Sequence, residues 1–110
     1  MGRFVKGDVV VAPFPFTDLT GSKRRPALVV AVLTGDDVIL CQITSVARRD
    51  AYSIPLVAGD FARGSLSQPS VIRPNRLFTA DDGLIVRSVG TVTAVKLQEV
   101  IDRVVEIVRR

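Results

Sequence analysis

The residues best placed to do chemistry in this chain are arginines and hydroxyl-bearing side chains at the ends of apolar runs. Arg25 begins one such run, Thr44 and Ser45 end the next, and Arg73 lies inside a later one. The sequence holds no histidine and a single cysteine, so the commonest general acid–base group and a zinc-binding set are both missing. A guanidinium pairs with phosphate through two parallel hydrogen bonds, and a hydroxyl can add a third. This set predicts a site for a phosphate-bearing ligand, with no metal and no other cofactor.

The chain around Arg25 and Thr44 predicts that these two residues share one end of a sheet. Pro26 restricts the backbone of Arg25 to an extended conformation, which fixes the direction in which the arginine leaves the preceding loop. A Gly-Asp-Asp turn at 35–37 separates two β-branched apolar runs. This spacing is typical of a hairpin, which would bring residues near 28 opposite residues near 44. Ser22 precedes Arg25 closely enough to line the same cavity.

The hydrophobic pattern predicts a mainly β fold of the α+β class with one terminal helix. Strands are expected at 9–11, 26–34, 38–46, 52–57, 70–79 and 84–89. Pro55 confines the strand at 52–57 to an edge or a bulge. Pro74 interrupts the segment 70–79, which is expected to supply one or two short strands. Apolar residues at helical spacing then predict an amphipathic helix over 94–109, with Thr93 as its N-cap. Because short antiparallel strands leave open edges, we expect a small, strongly bent sheet or barrel.

Composition favours a basic, single-domain protein that acts on a polyanion. The net charge is +4, and arginine supplies twelve of the fifteen cations. Arginine-rich surfaces suit nucleic acid, although a GC-rich genome producing solvated surface arginines is the alternative explanation. The 110 residues fit one domain spanning 1–110. Cys41 has the setting of a small buried hydrophobe, and no signal or membrane-spanning segment is evident, so we expect a cytoplasmic protein with no membrane partner.

Three motifs occur together and in one order along the chain. They are "GDVVVAPFPFTDLTGSKRRPALVV" at 7–30, "CQITS" at 41–45 and "SVIRPNRLFT" at 70–79. In this combination the sequence resembles the MazF/PemK family, the growth-inhibitor toxins of type II toxin–antitoxin systems. The resemblance implies an SH3-like barrel that forms a homodimer. It further implies a metal-independent endoribonuclease that cleaves single-stranded RNA at short sequences, and an acidic, partly disordered antitoxin that folds onto the basic surface.

The resemblance also implies roles for individual residues. Arg25 matches the arginine before the family's proline, and Thr44 matches the hydroxyl at the end of the third strand. Ser22 matches the serine of the loop's Gly-Ser pair, and Arg73 an arginine found in the late strand of some members. Two positions later, where certain members carry an acidic residue, this chain departs from the pattern and has Asn75.

Cleavage by the neighbouring 2'-hydroxyl needs a proton acceptor, a stabiliser of phosphorane charge and a proton donor for the leaving oxygen. Arg25 is expected to stabilise the charge and Thr44 to donate to a phosphate oxygen, while Asp18 and Asp81 are the candidate acceptors. Phe14, Phe16 and Phe78 are candidates for base stacking. The full expected RNA-binding set is Phe16, Thr17, Lys23, Arg24, Ser45, Arg48, Arg49, Asn75 and Arg76.

Two other functions remain open on the sequence alone. One is a non-catalytic inhibitor of the same fold that binds a protein target such as DNA gyrase. The other is a degenerate nucleic-acid-binding module. An inhibitor of gyrase has no reason to keep Arg25, Thr44 and Ser22 together, so a structure that brings them together favours the enzyme.

Overall fold

Residues 3–14, 24–45 and 50–110 are described by the structure, which is a computed structural model. Within these ranges the strands are β1 (Asp8–Pro13), β2 (Arg24–Val32), β3 (Asp37–Thr44), β4 (Ile54–Leu56), β5 (Phe61–Gly64), β6 (Ser70–Asp81) and β7 (Arg87–Val92). One helix, α1 (Ala94–Val108), follows them. The strands form a single antiparallel sheet in the order β4-β6-β3-β2-β1-β7-β5, which curls into a half-barrel. The predicted fold class is confirmed.

The curled sheet packs a separate apolar core on each of its two faces. On the face covered by α1, Leu28, Ile43 and Ile72 pack with Val100 of the helix, and we call this the helix-side core. The opposite face carries a second core around Phe14, the Phe14-side core. Because side chains alternate across a strand, the even positions of β2 and the odd positions of β3 face the helix. Arg25 and Thr44 therefore belong to the face that carries Phe14.

The terminal helix is confirmed, including its cap. Thr93 precedes it, and its Oγ1 accepts a hydrogen bond of 3.2 Å from the backbone N–H of Lys96. Leu97, Val100 and Val104 pack on the helix-side core, as their spacing predicts. Val108, at the end of the same apolar stripe, stays exposed.

The prediction that Pro74 breaks its strand is wrong, since β6 runs through it. Cys41 pairs with Leu77 whereas the next residue, Gln42, pairs with Arg73, so residues 74–76 form a bulge in β6. Pro74 cannot donate to a sheet ladder, and a bulge is where a missing donor is tolerated. Pro55, by contrast, lies on the edge strand β4 as predicted.

Two further differences concern the β5–β7 edge. The strand expected at 84–89 begins only at Arg87, because Asp82–Leu84 forms a 3-10 turn for which the side chain of Asp81 accepts from the N–H of Gly83. β5 was not predicted, since its sequence Phe-Ala-Arg-Gly contains no β-branched residue. Its pairing with β7 fixes where the following loop begins.

Candidate functional site

Strand pairing brings Arg25 and Thr44 to the same end of the sheet. Ala27 pairs with Gln42 and Leu28 with Cys41. Arg25 and Thr44 each lie two residues beyond the last of these pairs, Ala27 and Gln42, so both stand at the same end of the β2–β3 ladder. The prediction that the two share one sheet end is therefore confirmed, whereas the predicted register, with residues near 28 opposite residues near 44, is wrong by three residues. The turn that joins β2 to β3 lies closer to Gly35 than the sequence indicates.

A cleft of about 440 Å³ opens at this end of the sheet. Both Arg25 and Thr44 line it, together with the cations Arg24 and Arg87. Its remaining polar lining consists of Ser45, Ser65, Ser67, Gln68 and Ser70, and its apolar lining of Val11, Pro26, Ile43, Leu66 and Val89. No Asp or Glu of the described ranges lines the cleft, so its electrostatic potential favours an anion. A volume of this size is typical of a small-molecule site and is adequate for a nucleotide unit.

Two rows of paired residues place the cations of the cleft. In the first, Val11 pairs with Pro26 on one side and with Arg87 on the other. In the second, Pro13 pairs with Arg24. Residues that pair directly lie on one face of a sheet, so Arg87 and Arg24 both lie on the helix side at the open end of the half-barrel. Both side chains are exposed and available to a ligand.

The loop after β5 forms the opposite wall of the cleft, and two glycines fix its position. The N–H of Ser65 donates to the carbonyl of Val89 at 3.3 Å, which ties the loop to β7. Gly64 has a φ of +73°, and a Cβ there would lie 2.2 Å from the oxygen of Val89. Gly90 is equally crowded, because its added Cβ would lie 2.6 Å from the carbonyl of Arg63. The two strands can approach this closely only because both positions are glycine.

Sequence reasoning missed this wall and Arg87. The segment 63–70, "RGSLSQPS", shows the Gly, Ser and Pro content of a loop, and that signal was available. Only the pairing of β5 with β7 brings the loop to the cleft, and nothing in the sequence marks β5. Arg87 lies within the strand predicted at 84–89, but only the pairing of β7 with β1, which sets Arg87 opposite Val11, brings it to the cleft.

Arg73 does not line the cleft. It lies opposite Gln42 on the Phe14 face, and its Nη2 contacts Oδ2 of Asp50 at 3.3 Å. The Oδ1 atom of Asp50 accepts from the backbone N–H groups of Tyr52 and Ser53, at 2.9 Å each. These bonds lower the pKa of Asp50 from 3.8 to about 2, first through the N–H of Tyr52 and further through Ser53 and Arg73. The carboxylate therefore stays charged near neutral pH and holds the arginine.

Three buried polar atoms at this end of the sheet have no hydrogen-bond partner within the ranges described. They are Nε of Arg25, Oε1 of Gln42 and Nε of Arg73. Gln42 is 5% exposed and Thr44 8%. An unpaired buried donor or acceptor costs about 1–3 kcal/mol and is uncommon in folded proteins. All three atoms belong to one small group of neighbours on β2, β3 and β6.

Other predicted residues fall into three groups. Arg24 and Ser45 line the cleft. Asn75 and Arg76 lie in the bulge of β6, outside the cleft lining. The predicted residues Phe16, Thr17, Asp18, Ser22, Lys23, Arg48 and Arg49 lie outside the described ranges.

The structure does not bring Asp81 or Phe14 to the cleft. Asp81 pairs with Asp37 at the start of β3, and Thr44 ends that strand, so they are separated by roughly 23 Å of strand. Phe14 is 1% exposed and packs edge to face on Phe78 with ring centroids 4.6 Å apart. It belongs to the core, which leaves no exposed face for a base.

Cys41 behaves as the sequence predicts. It is fully buried, and burial raises the pKa of its thiol to about 12. Its Sγ donates to the backbone carbonyl of Arg73 at 3.0 Å. A thiol with this pKa is not a nucleophile at neutral pH.

Residues 3–14, 24–45 and 50–110 contain no group of three Cys, Asp or Glu side chains arranged to hold a metal ion. No helix described there is long and apolar enough to cross a membrane.

Several solved structures share this fold. The Mycobacterium tuberculosis toxin MazF-mt6 is 20% identical, with 90% of this chain and 93% of that chain covered at a TM-score of 0.70. An endoribonuclease in complex with its cognate antitoxin, from a mycobacterial species, is 13% identical, with 96% and 95% covered at 0.75. MazE-MazF from Deinococcus radiodurans is 21% identical, with 94% and 92% covered at 0.70.

Sequence comparison identifies the family. No curated protein sequence matches the chain. The family model of the PemK-like, MazF-like toxins of type II toxin–antitoxin systems matches residues 5–108, nearly the whole length. The chain belongs to this toxin family.

Proposed function

We propose that this protein is the toxin of a type II toxin–antitoxin system and acts as a metal-independent endoribonuclease on single-stranded RNA. The observation that carries the proposal is that Arg25 and Thr44 line one cleft together with further cations and hydroxyls. Structural relatives named as endoribonuclease and as MazF toxin support it. Cleavage of RNA by such a toxin would arrest translation and growth.

The chemistry we propose is an internal transfer of the phosphoryl group. The 2'-oxygen attacks the adjacent phosphorus, a P–O2' bond forms and the P–O5' bond breaks. The 2'-proton passes to a base, for which Asp18 is our candidate, and the leaving 5'-oxygen takes up one proton from solvent. Arg25 stabilises the negative charge on the phosphorane, and Thr44 donates a hydrogen bond to a phosphate oxygen. The products are a 2',3'-cyclic phosphate and a 5'-hydroxyl.

The cleft also accounts for binding of single-stranded RNA. Arg24 and Arg87 would neutralise phosphates on the helix side of the sheet end. Ser65, Ser67 and Gln68 would present donors and acceptors to base edges. From the family resemblance we add Ser22 to the catalytic set, and Phe16, Thr17, Lys23, Arg48 and Arg49 to the RNA-binding set. Asn75 and Arg76, in the β6 bulge, would follow the backbone beyond the cleft.

We further propose a cytoplasmic homodimer that is neutralised by an acidic, partly disordered antitoxin. The cleft carries Arg24, Arg25 and Arg87 and no acidic lining within the described ranges, so an acidic segment would compete with RNA for it. One structural relative is a complex of an endoribonuclease with its antitoxin. Exposed apolar residues such as Val95 and Val108 on α1, 80% and 69% exposed, offer surface for a two-fold contact.

The test is to incubate the purified protein with a long single-stranded RNA in EDTA and to map the 5' ends of the products. We expect cleavage at one short recurring sequence that is lost in Arg25→Ala. Arg109→Ala, at the exposed end of the chain, is the matched control and should cleave as the unmodified protein does. Growth arrest by a soluble protein that leaves RNA intact would contradict the proposal and favour the inhibitor of a protein target.

A further inference from the structure

Gln42 is a buried polar residue that belongs neither to the proposed catalytic set nor to the RNA-binding set. It pairs with Ala27 on β2 and with Arg73 on β6. Arg25 is its diagonal neighbour, and Thr44 lies two residues along the same strand. Direct pairs have Cβ atoms about 4.5–5.5 Å apart and diagonal pairs about 7–8 Å, and over such distances an amide side chain is long enough to meet either guanidinium group. Gln42 therefore forms the boundary between the Phe14-side core and the polar end of that face.

The hydrogen-bonding groups of this cluster are complementary but unpaired. The Nε–H groups of Arg25 and Arg73 are donors, and the Oε1 of Gln42 is an acceptor. Each of these atoms is buried and lacks a partner within the described ranges. Leu40, Ala27 and Val29, the next residues inward on this face, are apolar. A glutamine at this boundary thus lowers stability relative to an apolar residue, which calls for a compensating role.

Engagement of RNA supplies a reason for the three groups to pair. A guanidinium that binds phosphate through its outer nitrogens leaves Nε–H in need of an acceptor on the protein side. Hydrogen bonds around a catalytic group are often long in the free enzyme and tighten only in the complex. Arg25 lines the cleft and is half-buried, whereas its Nε atom is fully buried and has no partner within the described ranges.

We propose that Gln42 is a positioning residue whose amide oxygen accepts the Nε–H of Arg25 when this arginine engages the scissile phosphate. Arg73, which forms an ion pair with Asp50, is a second cation next to the amide oxygen of Gln42. The inference rests on the proposed function, because it concerns how the Arg25 side chain is oriented during RNA cleavage. Gln42 itself touches no reacting atom.

The test compares Gln42→Met, which keeps the length of the side chain and removes the acceptor, with Gln42→Glu, which keeps an acceptor. We expect Gln42→Met to lower kcat on the order of 10- to 100-fold with little change in KM, because the guanidinium of Arg25 is no longer held in the orientation that catalysis needs. The same variant should raise the thermal midpoint by about 4 °C, since a buried amide oxygen without a partner is removed. A loss of turnover together with a gain of stability is a combination that a merely structural role would not produce.

Gln42→Glu should have the reverse effect on the two kinetic constants, with kcat nearly kept and KM raised. Its carboxylate still accepts from Arg25, so kcat at saturating RNA should stay within a few-fold of the unmodified protein. Its charge opposes phosphate, so KM should rise and the dependence of binding on salt should become less steep. Leu40→Met, two residues inward on the same face, is the control for repacking and should leave kcat unchanged.

The outcomes separate this inference from the proposed function. If the unmodified protein cleaves RNA and Gln42→Met cleaves equally well, the positioning role is overturned and the proposed function stands. It is also overturned if Gln42→Met loses turnover and stability together. If the unmodified protein neither cleaves nor binds RNA, both the proposed function and the positioning role are overturned.

Discussion

Arg73 on β6 and Asp50 ahead of β4 are joined by a contact of 3.3 Å between Nη2 and Oδ2, across 23 residues of sequence. The turn that begins at Asp50 forms around the same carboxylate, with hydrogen bonds from Tyr52 and Ser53. Arg73 therefore meets an acceptor that is already fixed in place. This relationship ties the start of the β4 segment to the part of β6 that flanks Gln42.

The first prediction concerns the pH dependence of this pair. The pKa of Asp50 in the folded protein, about 2, is below its ordinary 3.8, so its carboxylate stabilises the fold above pH 4. That contribution is lost as the pH falls through 2, when the folded form also binds the proton. We expect Asp50→Asn to have a lower urea midpoint than the unmodified protein at pH 7. The difference should narrow below pH 4 and be mostly lost by pH 2, and a difference independent of pH would contradict the account.

The second prediction concerns the wall of the cleft. Gly64→Ala forces a side chain into a φ of +73° and against the backbone of Val89. We expect a loss of about 1–3 kcal/mol in the free energy of unfolding, measured by urea denaturation. Gly59→Ala is the matched control, because nothing lies within 4 Å of its added Cβ and its φ is not positive. It should change stability by less than about 1 kcal/mol. Equal effects of the two substitutions would rule out the close approach of β5 to β7.

The third prediction concerns the cations of the cleft. Arg24→Ala and Arg87→Ala should each weaken binding of single-stranded RNA, because each removes a phosphate contact. Each should also reduce the slope of log affinity against log salt by about 0.7. Arg109→Ala, remote from the cleft, should leave the slope unchanged. A slope in Arg87→Ala equal to that of the unmodified protein would remove Arg87 from the RNA-binding surface.

Much of the fold can be predicted from local sequence pattern, and the predictions that are wrong have physical causes. The helix and its Thr93 cap are readable because the apolar period and the capping residue agree. The β2–β3 hairpin is readable from two β-branched runs and a Gly-Asp-Asp turn. The prediction of a strand break at Pro74 is wrong because a proline normally ends a strand, whereas a bulge can accommodate it. Whether such a bulge forms depends on the partner strand. β5 has no pattern of its own and is a strand only because β7 lies beside it.

The site could be predicted only in part, for the same reason. Arg25 and Thr44 were found because they sit at the ends of obvious strands, where pairing brings them together. Ser65, Ser67 and Gln68 reach the cleft through the β5–β7 pairing, and Arg87 through the β1–β7 pairing, and no local signal marks either one. The lack of a partner for the Gln42 Oε1 atom depends on burial and on neighbours from other strands, which cannot be read from the sequence. Arg73 was placed correctly on its strand, yet its ion pair with Asp50 depends on the path of the β4 segment.

The measurement that tests the central claim most directly is a double-mutant cycle on Arg25 and Thr44, using single-turnover cleavage of an RNA that contains the mapped site. Arg25→Ala should lower the rate by about 100- to 1000-fold, since it removes a stabiliser of the phosphorane. Thr44→Val keeps the shape of the side chain and should also slow cleavage. If both side chains act on one phosphate, as we propose, the double variant should lose less than the product of the two single losses. Single variants that cleave at the unmodified rate, or losses that multiply independently, would contradict a shared phosphate site at this end of the sheet.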